Sequence, residues 1–233
     1  MKLPEHLDQE KATGIHPGES VAQFEIGSYQ NFVYLILDWT TQKAAIVDPQ
    51  QDVTALLASL ARYSFELISI FLTHTHSDHT AGLPELLKKF PKIPIVVHKK
   101  ELHRLSPETI QTGKIHDAQD GEYIAIGNLR IQVLHTPGHS SGECCYLLEG
   151  ATPHIYLFSG DTLFIRDCGR TDMESGNTEQ MFHSLQKIRN LTQETIILPG
   201  HHYKNSCAST LDRELHESPP FQCSTALELD ALP

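Results

Sequence analysis

The stretch that most constrains the fold of this chain is Thr73–His79, which reads Thr-His-Thr-His-Ser-Asp-His. It follows an apolar run, Leu67–Leu72, whose β-branched and aromatic residues predict a buried strand. It precedes a segment with helical spacing, Thr80–Leu87. The motif therefore lies on a turn from a strand to a helix, where a rigid scaffold can bring polar side chains together.

Four residues of this turn are of types that bind metals: His74, His76, Asp78 and His79. Imidazole and carboxylate groups suit zinc and related divalent cations. On an extended backbone, His74 and His76 point the same way. Asp78 and His79 lie where the chain turns into the helix, so they can face a second point in space. A surface turn rich in histidine is the alternative, but this density of ligand-type residues favours a metal site.

Composition limits the class of protein and its partners. A chain of 233 residues is long enough for one large α/β domain or two small ones. The formal net charge of −11 argues against a nucleic-acid partner, because phosphates require a basic face. Apolar runs fall short of the ~18 residues of a membrane span, and the first residues do not resemble a signal peptide. The five cysteines fit neither a disulfide framework nor a cysteine zinc site, which favours a cytoplasmic location.

Periodicity predicts alternating strands and helices along the chain. Strands are predicted over Val21–Ile26, Asn31–Leu37, Ala44–Val47, Ile95–Val97, Glu122–Ile126, Leu129–Leu134, Glu143–Leu148, His154–Phe158 and Thr195–Leu198. Helices are predicted over Val53–Tyr63, Lys99–Leu105, Thr178–Arg189 and Ser209–His216. We expect a leader at 1–20, a loop at 106–121, and a loose tail at 218–233. Because the order of meander, helix and strand occurs twice, two packed sheets with helices outside are expected.

Three further segments combine a strand end, a small residue and a histidine or aspartate. They are His135–Gly142, Phe158–Leu163 and Leu198–Tyr203. Asp161 directly follows Gly160 at a strand end, where it is well placed to bridge two metals. Taken alone, Asp161 could equally cap a turn, and His139 could be a core histidine with its hydrogen bonds satisfied. Together with the cluster at 74–79, the ligand interpretation is favoured.

The pattern His74-x-His76-x-Asp78-His79, followed by His139, Asp161 and His201, resembles the metallo-β-lactamase superfamily. The resemblance is greatest to its glyoxalase II branch (hydroxyacylglutathione hydrolases) and to the related persulfide dioxygenases. It covers residues 21–217, which we expect to form one metallo-β-lactamase-like domain. It implies an α/β fold: a four-layer αβ/βα sandwich of two mixed β-sheets flanked by helices, with a two-metal site at the sheet edges.

The resemblance also implies roles for individual residues. One metal would be held by His74, His76 and His139, a second by Asp78, His79 and His201, and Asp161 would bridge them. The expected cofactors are two divalent cations, zinc first, with iron and manganese left open. Such a pair lowers the pKa of a bound water from 15.7 toward about 7, and the hydroxide attacks a carbonyl. Asp78 would also orient this nucleophile. Substrate contacts are expected from Arg170, Tyr203 and His202, whereas His135 is interpreted as a non-ligand.

Three functions remain open at this stage. The first is a metal-dependent hydrolase that cleaves a thioester, either of glutathione or of a carrier-bound acyl group. The second is an iron-dependent dioxygenase that oxidises glutathione persulfide, an activity whose family shares the run Cys168–Asp172. The third is a scaffold without enzymatic activity. The complete set of metal-ligand residues argues against this third function. For Arg170, an ordinary surface salt bridge is the alternative to a contact with an anionic substrate. Cys168 could be reactive, although a buried and inert thiol is the more common case.

Overall fold

The computed structural model describes residues 3–9, 11–12, 14–150 and 153–232. Two six-stranded sheets face each other across an apolar layer to which both contribute, and helices cover the outer face of each sheet. Helix, sheet, sheet and helix therefore form four layers. This arrangement confirms the fold class that the sequence predicted.

The first sheet is built from the N-terminal half of the chain. Its strands, in spatial as well as chain order, are β1 (Val21–Ile26), β2 (Asn31–Asp38), β3 (Lys43–Val47), β4 (Glu66–Phe71), β5 (Pro94–Val97) and β6 (Lys114–Asp117). The first three are antiparallel neighbours, and β3 to β6 are parallel. β2 is buried at every position because both of its faces are covered.

The second sheet is built from the C-terminal half. Its main strands are β7 (Tyr123–Ile126), β8 (Leu129–His135), β9 (Cys144–Glu149) and β10 (Tyr156–Gly160), and a small separate hairpin follows, β11 (Leu163–Phe164) with β12 (Asp167–Cys168). The sheet is completed by β13 (Ile196–Pro199) and β14 (Ser209–Thr210). β10 and β13 are parallel, and the other neighbours in this sheet are antiparallel. Gly127 has a φ of 61° in the predicted two-residue turn between β7 and β8.

The helices lie on the outside of the two sheets and around the connections. In chain order they are α1 (Thr54–Arg62), α2 (Ser77–Thr80), α3 (Leu83–Lys89), a 3-10 helix (Lys99–Arg104), α4 (Pro107–Thr112), α5 (Thr178–Arg189), α6 (Leu211–Glu217), α7 (Pro219–Gln222) and α8 (Ala226–Asp230). α1 and α3 pack on the first sheet, and α5 to α8 pack on the second. Among the described residues, no helix has the length and apolarity needed to cross a membrane.

α5 has the bounds that its sequence pattern predicted. The Asn177 side chain accepts a hydrogen bond from the Gln180 amide at 2.9 Å and so caps the first turn. Met181, Leu185 and Ile188 form a buried stripe at helical spacing. Local capping and the apolar face agree here, which explains why this helix could be read from the sequence.

The prediction of a loop at 106–121 is wrong for more than half of this segment, which forms α4 and β6. Ser106 accepts a hydrogen bond from the Thr109 amide at 3.1 Å, and Pro107 occupies the first turn of α4. Lys114–Asp117 then pairs with β5 as an edge strand. This strand has no fully buried position, so it lacks the apolar alternation by which a strand is predicted.

The loose C-terminal tail is also a wrong expectation, since α7 and α8 occupy most of it. Phe221 and Leu229 are buried in the same apolar cluster as Leu185 of α5. Thr225 caps α8 by accepting a hydrogen bond from the Glu228 amide at 3.2 Å.

The N-terminal leader is also anchored to the domain, because Leu7 is fully buried in the layer between the sheets. Each of these segments is anchored by one or two apolar residues, too few for a periodic signal.

Candidate metal centre

The chain enters the site directly after β4, through Thr73. The Thr73 amide donates to Asp48 Oδ1 at 2.7 Å, and the Thr73 hydroxyl donates to Asp48 Oδ2 at 2.6 Å. Asp48 directly follows β3, which runs parallel to β4, so the two strand ends are tied at one edge of the first sheet. This anchor fixes the direction in which residues 74–79 leave the strand.

The other predicted ligands come from strand ends of the second sheet. His139 follows β8, Asp161 follows β10 and His201 follows β13. β10 and β13 are parallel neighbours, and the Gly200 amide donates to the Gly160 carbonyl at 2.8 Å. The structure therefore brings loops from both sheets to one edge of the sandwich.

All seven predicted ligands meet there in three overlapping groups. Within each group the potential ligand atoms lie within 4.8 Å of one another, and the groups are His74, His76 and His139; His74, His79 and Asp161; and Asp78, His79 and His201. In the first group, His139 Nε2 lies 3.0 Å from His76 Nδ1. In the last, His201 Nε2 lies 3.4 Å from Asp78 Oδ2.

Asp161 lies between the groups. Its Oδ1 is 3.5 Å from His79 Nε2, and its Oδ2 is 3.4 Å from His201 Nε2. The same Oδ2 is 3.5 Å from His139 Nε2. One carboxylate therefore contacts histidines on both sides of the centre.

The donor atoms fit divalent cations. His74 Nε2 and Asp161 Oδ1 are buried and have no hydrogen-bond partner among the described residues, although buried polar atoms are almost always paired. Histidine nitrogens and carboxylate oxygens in groups of three are the donor sets of zinc and iron sites. These two unpaired atoms belong to the three groups, so a cation would supply the interaction that each lacks.

The opposite ring nitrogens of the histidines are held by partners outside the centre. His139 Nδ1 donates to the Arg170 carbonyl at 2.8 Å, and His201 Nδ1 donates to the Tyr29 carbonyl at 2.9 Å. His79 Nδ1 is 3.1 Å from Asp48 Oδ2. Such outer bonds fix the ring orientation and the tautomer of metal-ligating histidines. With their Nδ1 atoms bonded in this way, His79, His139 and His201 direct their Nε2 atoms into the metal centre.

Burial and neighbouring charges set the protonation states. Burial, with His79 next to it, lowers the pKa of His74 well below its usual value. Burial and His139 lower the pKa of His76 to about 4, so both imidazoles are neutral and able to bind a cation. At Asp161, burial would raise the pKa, but the nearby histidines, His79 foremost, outweigh it and hold the pKa well below its usual range. This carboxylate is therefore ionised.

Two glycines permit the close approach of these loops. Gly160 has a φ of 49°, and a Cβ there would lie 2.6 Å from Thr73 Cβ. A Cβ on Gly200 would lie 2.3 Å from Asp161 Oδ1. Any side chain at either position would push the loops apart, which explains the small residues beside the ligands.

The groups open onto a cleft of about 900 Å³. Its walls combine aromatic and apolar side chains with charged ones, among them Phe164, Cys168, Met173, Leu229 and Asp230. Burial raises the pKa of Cys168 to about 12, so this thiol is neutral at ordinary pH, as expected of an inert cysteine. The cleft is large enough for a small-molecule substrate.

Two of the three predicted substrate residues line this cleft. The Tyr203 ring stacks on His201, with centroids 4.7 Å apart and planes 9° apart, and 51% of the residue is exposed. Arg170 lies at the rim and makes a two-point ion pair with Asp172, Nε to Oδ1 at 2.6 Å and Nη2 to Oδ2 at 2.7 Å. The surface salt bridge considered for Arg170 is therefore present, in the cleft itself.

The third predicted substrate residue, His202, is not brought into the cleft. Its Nδ1 is 2.8 Å from Glu25 Oε2, and its ring lies 5.0 Å from the Phe32 ring. Adjacent residues in extended chain point to opposite sides, so His201 faces the centre and His202 faces away. His135, interpreted as a non-ligand, stacks on His98 with centroids 4.4 Å apart and belongs to none of the three groups.

Two supporting carboxylates were missed from the sequence. Asp48 holds Thr73 and His79, and Glu143, which is fully buried, accepts from the Asp161 amide at 2.7 Å. The signal was present: each acidic residue directly adjoins a buried strand, where a polar group requires partners.

The model of the metallo-beta-lactamase superfamily matches residues 26–201. The chain belongs to this superfamily. The matched range contains all seven residues of the three groups. The matched range thus spans β2 to β13, which form most of both sheets, and the centre at their edge.

Several known proteins are similar to this one over most of the chain. A hydroxyacylglutathione hydrolase of Gloeobacter violaceus is 35% identical over 74% of this chain, which spans 64% of that protein's length. A probable polyketide biosynthesis zinc-dependent hydrolase of Bacillus subtilis, PksB, is 31% identical over 82% of this chain and 80% of its own. The crystal structure of ETHE1 from Myxococcus xanthus has a TM-score of 0.75 at 28% identity, covering 91% of this chain and 92% of that one.

Proposed function

We propose that this protein is a metal-dependent hydrolase that cleaves a thioester, as glyoxalase II does. The observation that carries the proposal is the convergence of six histidine and aspartate ligands around Asp161, in groups whose donor atoms lie within 4.8 Å. One cation would be held by His74, His76 and His139. A second would be held by Asp78, His79 and His201, with Asp161 bridging the two.

A bound pair of divalent cations polarises a carbonyl and brings the pKa of a water molecule toward about 7. The chain's own residues orient the reactants. Asn31 Nδ2 donates to Asp78 Oδ2 at 2.9 Å, and Gln50 Nε2 donates to Asn31 Oδ1 at 3.0 Å. This chain of hydrogen bonds fixes the Asp78 carboxylate, whose Oδ1 is the proposed acceptor for a proton of the attacking water.

The proposed substrates are small thioesters, of glutathione or of a carrier-bound acyl group. The relatives named hydroxyacylglutathione hydrolase support the first, and the polyketide-biosynthesis relative supports the second. Within the cleft, Arg170 is the proposed contact for a substrate carboxylate, and the exposed ring of Tyr203 is the proposed contact for the thiol moiety. An incoming carboxylate would compete with Asp172 for the Arg170 guanidinium.

Zinc is the proposed metal. The donors are nitrogen and oxygen atoms, which zinc accepts, and one relative is named a zinc-dependent hydrolase. Iron and manganese accept the same donors. We also propose a cytoplasmic location, which the five free cysteines of the structure support.

A second candidate function is an iron-dependent persulfide dioxygenase. Two observations favour it: the similarity to ETHE1 over nearly the full length of both chains, and the run Cys168–Asp172 along the cleft. The hydrolase is preferred because the Asp78, His79 and His201 group offers a complete second set of donors, which a reaction at one iron would not need.

Metal analysis combined with a substrate panel separates the two functions. We expect native protein to contain about two zinc ions per chain and to hydrolyse S-lactoylglutathione or an acyl N-acetylcysteamine thioester. Arg170→Ala should raise KM for the glutathione thioester more than for the N-acetylcysteamine thioester, which has no carboxylate. One iron per chain, with oxygen consumed on addition of glutathione persulfide, would establish the dioxygenase instead.

A further inference from the structure

A buried glutamate outside the predicted ligand set connects two of the loops that carry ligands. Glu101 lies in the 3-10 helix after β5 and is fully buried. Among the described residues, the hydrogen bonds of its carboxylate go to neighbours of the ligands and not to the ligand side chains. It contacts Thr75, which separates His74 from His76, and Ser140, which directly follows His139.

Each carboxylate oxygen of Glu101 serves one loop. Oε2 accepts from the Thr75 amide at 3.0 Å and from the Thr75 hydroxyl at 2.9 Å. Oε1 accepts from the Ser140 hydroxyl at 2.8 Å and from the Gly142 amide at 2.9 Å. The Thr75 hydroxyl is also 2.9 Å from the Glu101 carbonyl oxygen. Each oxygen thus has an amide donor and a hydroxyl within hydrogen-bond distance, and the two loops are joined through a single side chain.

The fit around this carboxylate is specific. A Cβ on Gly142 would lie 2.8 Å from Glu101 Cγ and 2.9 Å from its Oε1, so the close approach requires glycine. Arg104 lies on the same helical turn, with its Nη1 3.7 Å from Glu101 Oε2, and offsets part of the negative charge of the buried carboxylate. Burial would raise the pKa of Glu101, but the donors from Ser140, Thr75 and Gly142 outweigh it and hold the pKa below its usual value. The carboxylate is therefore the charged, acceptor-only form.

We propose that Glu101 is a positioning residue that sets the spacing of the His74–His76 loop and the His139 loop, and so determines the metal affinity of that three-histidine group. The inference deepens the proposed function, since it rests on the same centre. Glu101 makes none of these bonds to the loops that carry Asp161 and His201, so its effect should be greatest at the position held by His74, His76 and His139.

The test is the affinity of Glu101→Gln for Zn²⁺ alone. Glutamine keeps the shape but turns an amide NH₂ toward donors that need an acceptor. The protein is stripped with a chelator, and Zn²⁺ is titrated against a chromophoric competitor at a temperature at which circular dichroism finds the variant folded. We expect one of two equivalents to bind about 10–100-fold more weakly, the usual effect of removing an outer partner. The other should change less than about threefold.

A spectroscopic readout identifies the position that is affected. With Co²⁺ in place of Zn²⁺, the absorption bands of the weakened equivalent should shift in Glu101→Gln, because its three nitrogen donors have moved. Glu149→Gln is the matched control: Glu149, at the end of β9, pairs with the exposed Arg130 of β8, away from the centre. It should bind both equivalents as the wild type does, with an unchanged spectrum.

Ser140→Ala removes only one of the donors and keeps the experiment decisive if Glu101→Gln does not fold. It should weaken the same equivalent by about 3–10-fold, because one outer bond is lost. If folded variants bind both equivalents with wild-type affinity and merely unfold at lower temperature, Glu101 is a packing residue and the inference is wrong. If the wild type itself binds no Zn²⁺, the proposed function fails as well, so the two failures are distinguishable.

Discussion

At the residue scale, the geometry of the centre converges on Asp161. Its two oxygens lie within 3.5 Å of Nε2 atoms of three histidines. Its backbone amide is held by Glu143, and the glycine before it allows the chain to approach Thr73. A carboxylate fixed at both its backbone and its side chain can bridge two cations without rearrangement, which is the benefit of preorganisation.

Asp161→Asn therefore tests the proposed bridging role of Asp161. The amide has nearly the same shape but carries no charge and offers only one oxygen donor. We expect the metal content to fall to about one ion per chain or fewer, and thioester hydrolysis to fall by at least about 100-fold, more than removal of an outer partner. His183→Ala is the control, because His183 is exposed on α5 and pairs with Glu179. Two retained metals and full activity in Asp161→Asn would contradict the bridging role.

At the element scale, the cleft depends on a helix that lies far from the ligand loops in the chain. Leu229 of α8 is 6% exposed, packs in the cluster that covers α5, and also lines the cleft. α8 thus has two roles, because Leu229 both packs in the apolar layer outside the second sheet and forms part of the cleft wall.

Leu229→Ala tests both roles of α8. Loss of a buried leucine side chain leaves a cavity, so we expect the free energy of unfolding to fall by about 2–3 kcal/mol in urea titrations. KM for a thioester should also rise. Leu227→Ala, on the same helix but 82% exposed, should change neither quantity measurably. Equal effects of the two variants would contradict a packing role specific to Leu229.

Another connection at this scale joins turns of the two sheets. Asp38 ends β2, and its carboxylate accepts from Asn128 of the β7–β8 turn at 2.6 Å and from Thr41 of the β2–β3 turn at 2.7 Å. Burial would raise the pKa of Asp38, but these donors outweigh it and lower the pKa below the ordinary 3.8. The charged form is therefore the one that stabilises the fold.

The pH dependence of this contribution has a definite sign. Because the folded pKa of Asp38 is depressed, its stabilisation is present above the unfolded value of 3.8 and is lost as pH falls through the folded value. Asp38→Asn should lower the free energy of unfolding by about 1–3 kcal/mol at pH 7. The difference from wild type should shrink in urea titrations below pH 3.8. A difference independent of pH would mean that packing, not charge, accounts for the loss.

At the scale of the whole molecule, the centre links the two halves of the sandwich. His74, His76, Asp78 and His79 follow the first sheet, whereas His139, Asp161 and His201 follow strands of the second. A cation held by His74, His76 and His139 would therefore connect sheets whose remaining contacts are largely apolar. Metal binding and the stability of the whole fold should be coupled.

Metal removal tests this coupling. With free metal at 100 times its Kd, binding stabilises the folded state by about 2.7 kcal/mol, which for a chain of this size corresponds to about 5–10 °C in Tm. Chelation followed by calorimetry should reveal a decrease of that size, and added Zn²⁺ should reverse it. The Tm of Asp161→Asn should respond much less. An identical Tm with and without metal would contradict a centre that joins the two sheets.

Agreement between sequence and structure is best where signals are local. α5, the β7–β8 turn and most strands were predicted because caps, turn residues and apolar periodicity act within a few positions. α4, β6, α7 and α8 were not, since their anchors are single capping residues or one or two apolar side chains. The supporting roles of Asp48, Glu101 and Glu143 were also missed, because their partners are mostly distant in the chain.

Residue type and spacing were enough to predict the two-sheet architecture and the set of histidines and aspartates at strand ends. Which of these side chains meet became known from the folded chain, in which Asp161 lies between two groups, His202 faces Glu25, and Glu101 joins two loops. The physical reason is that convergence depends on how parallel strand ends and buried carboxylates align across distant segments, and no local pattern carries that information.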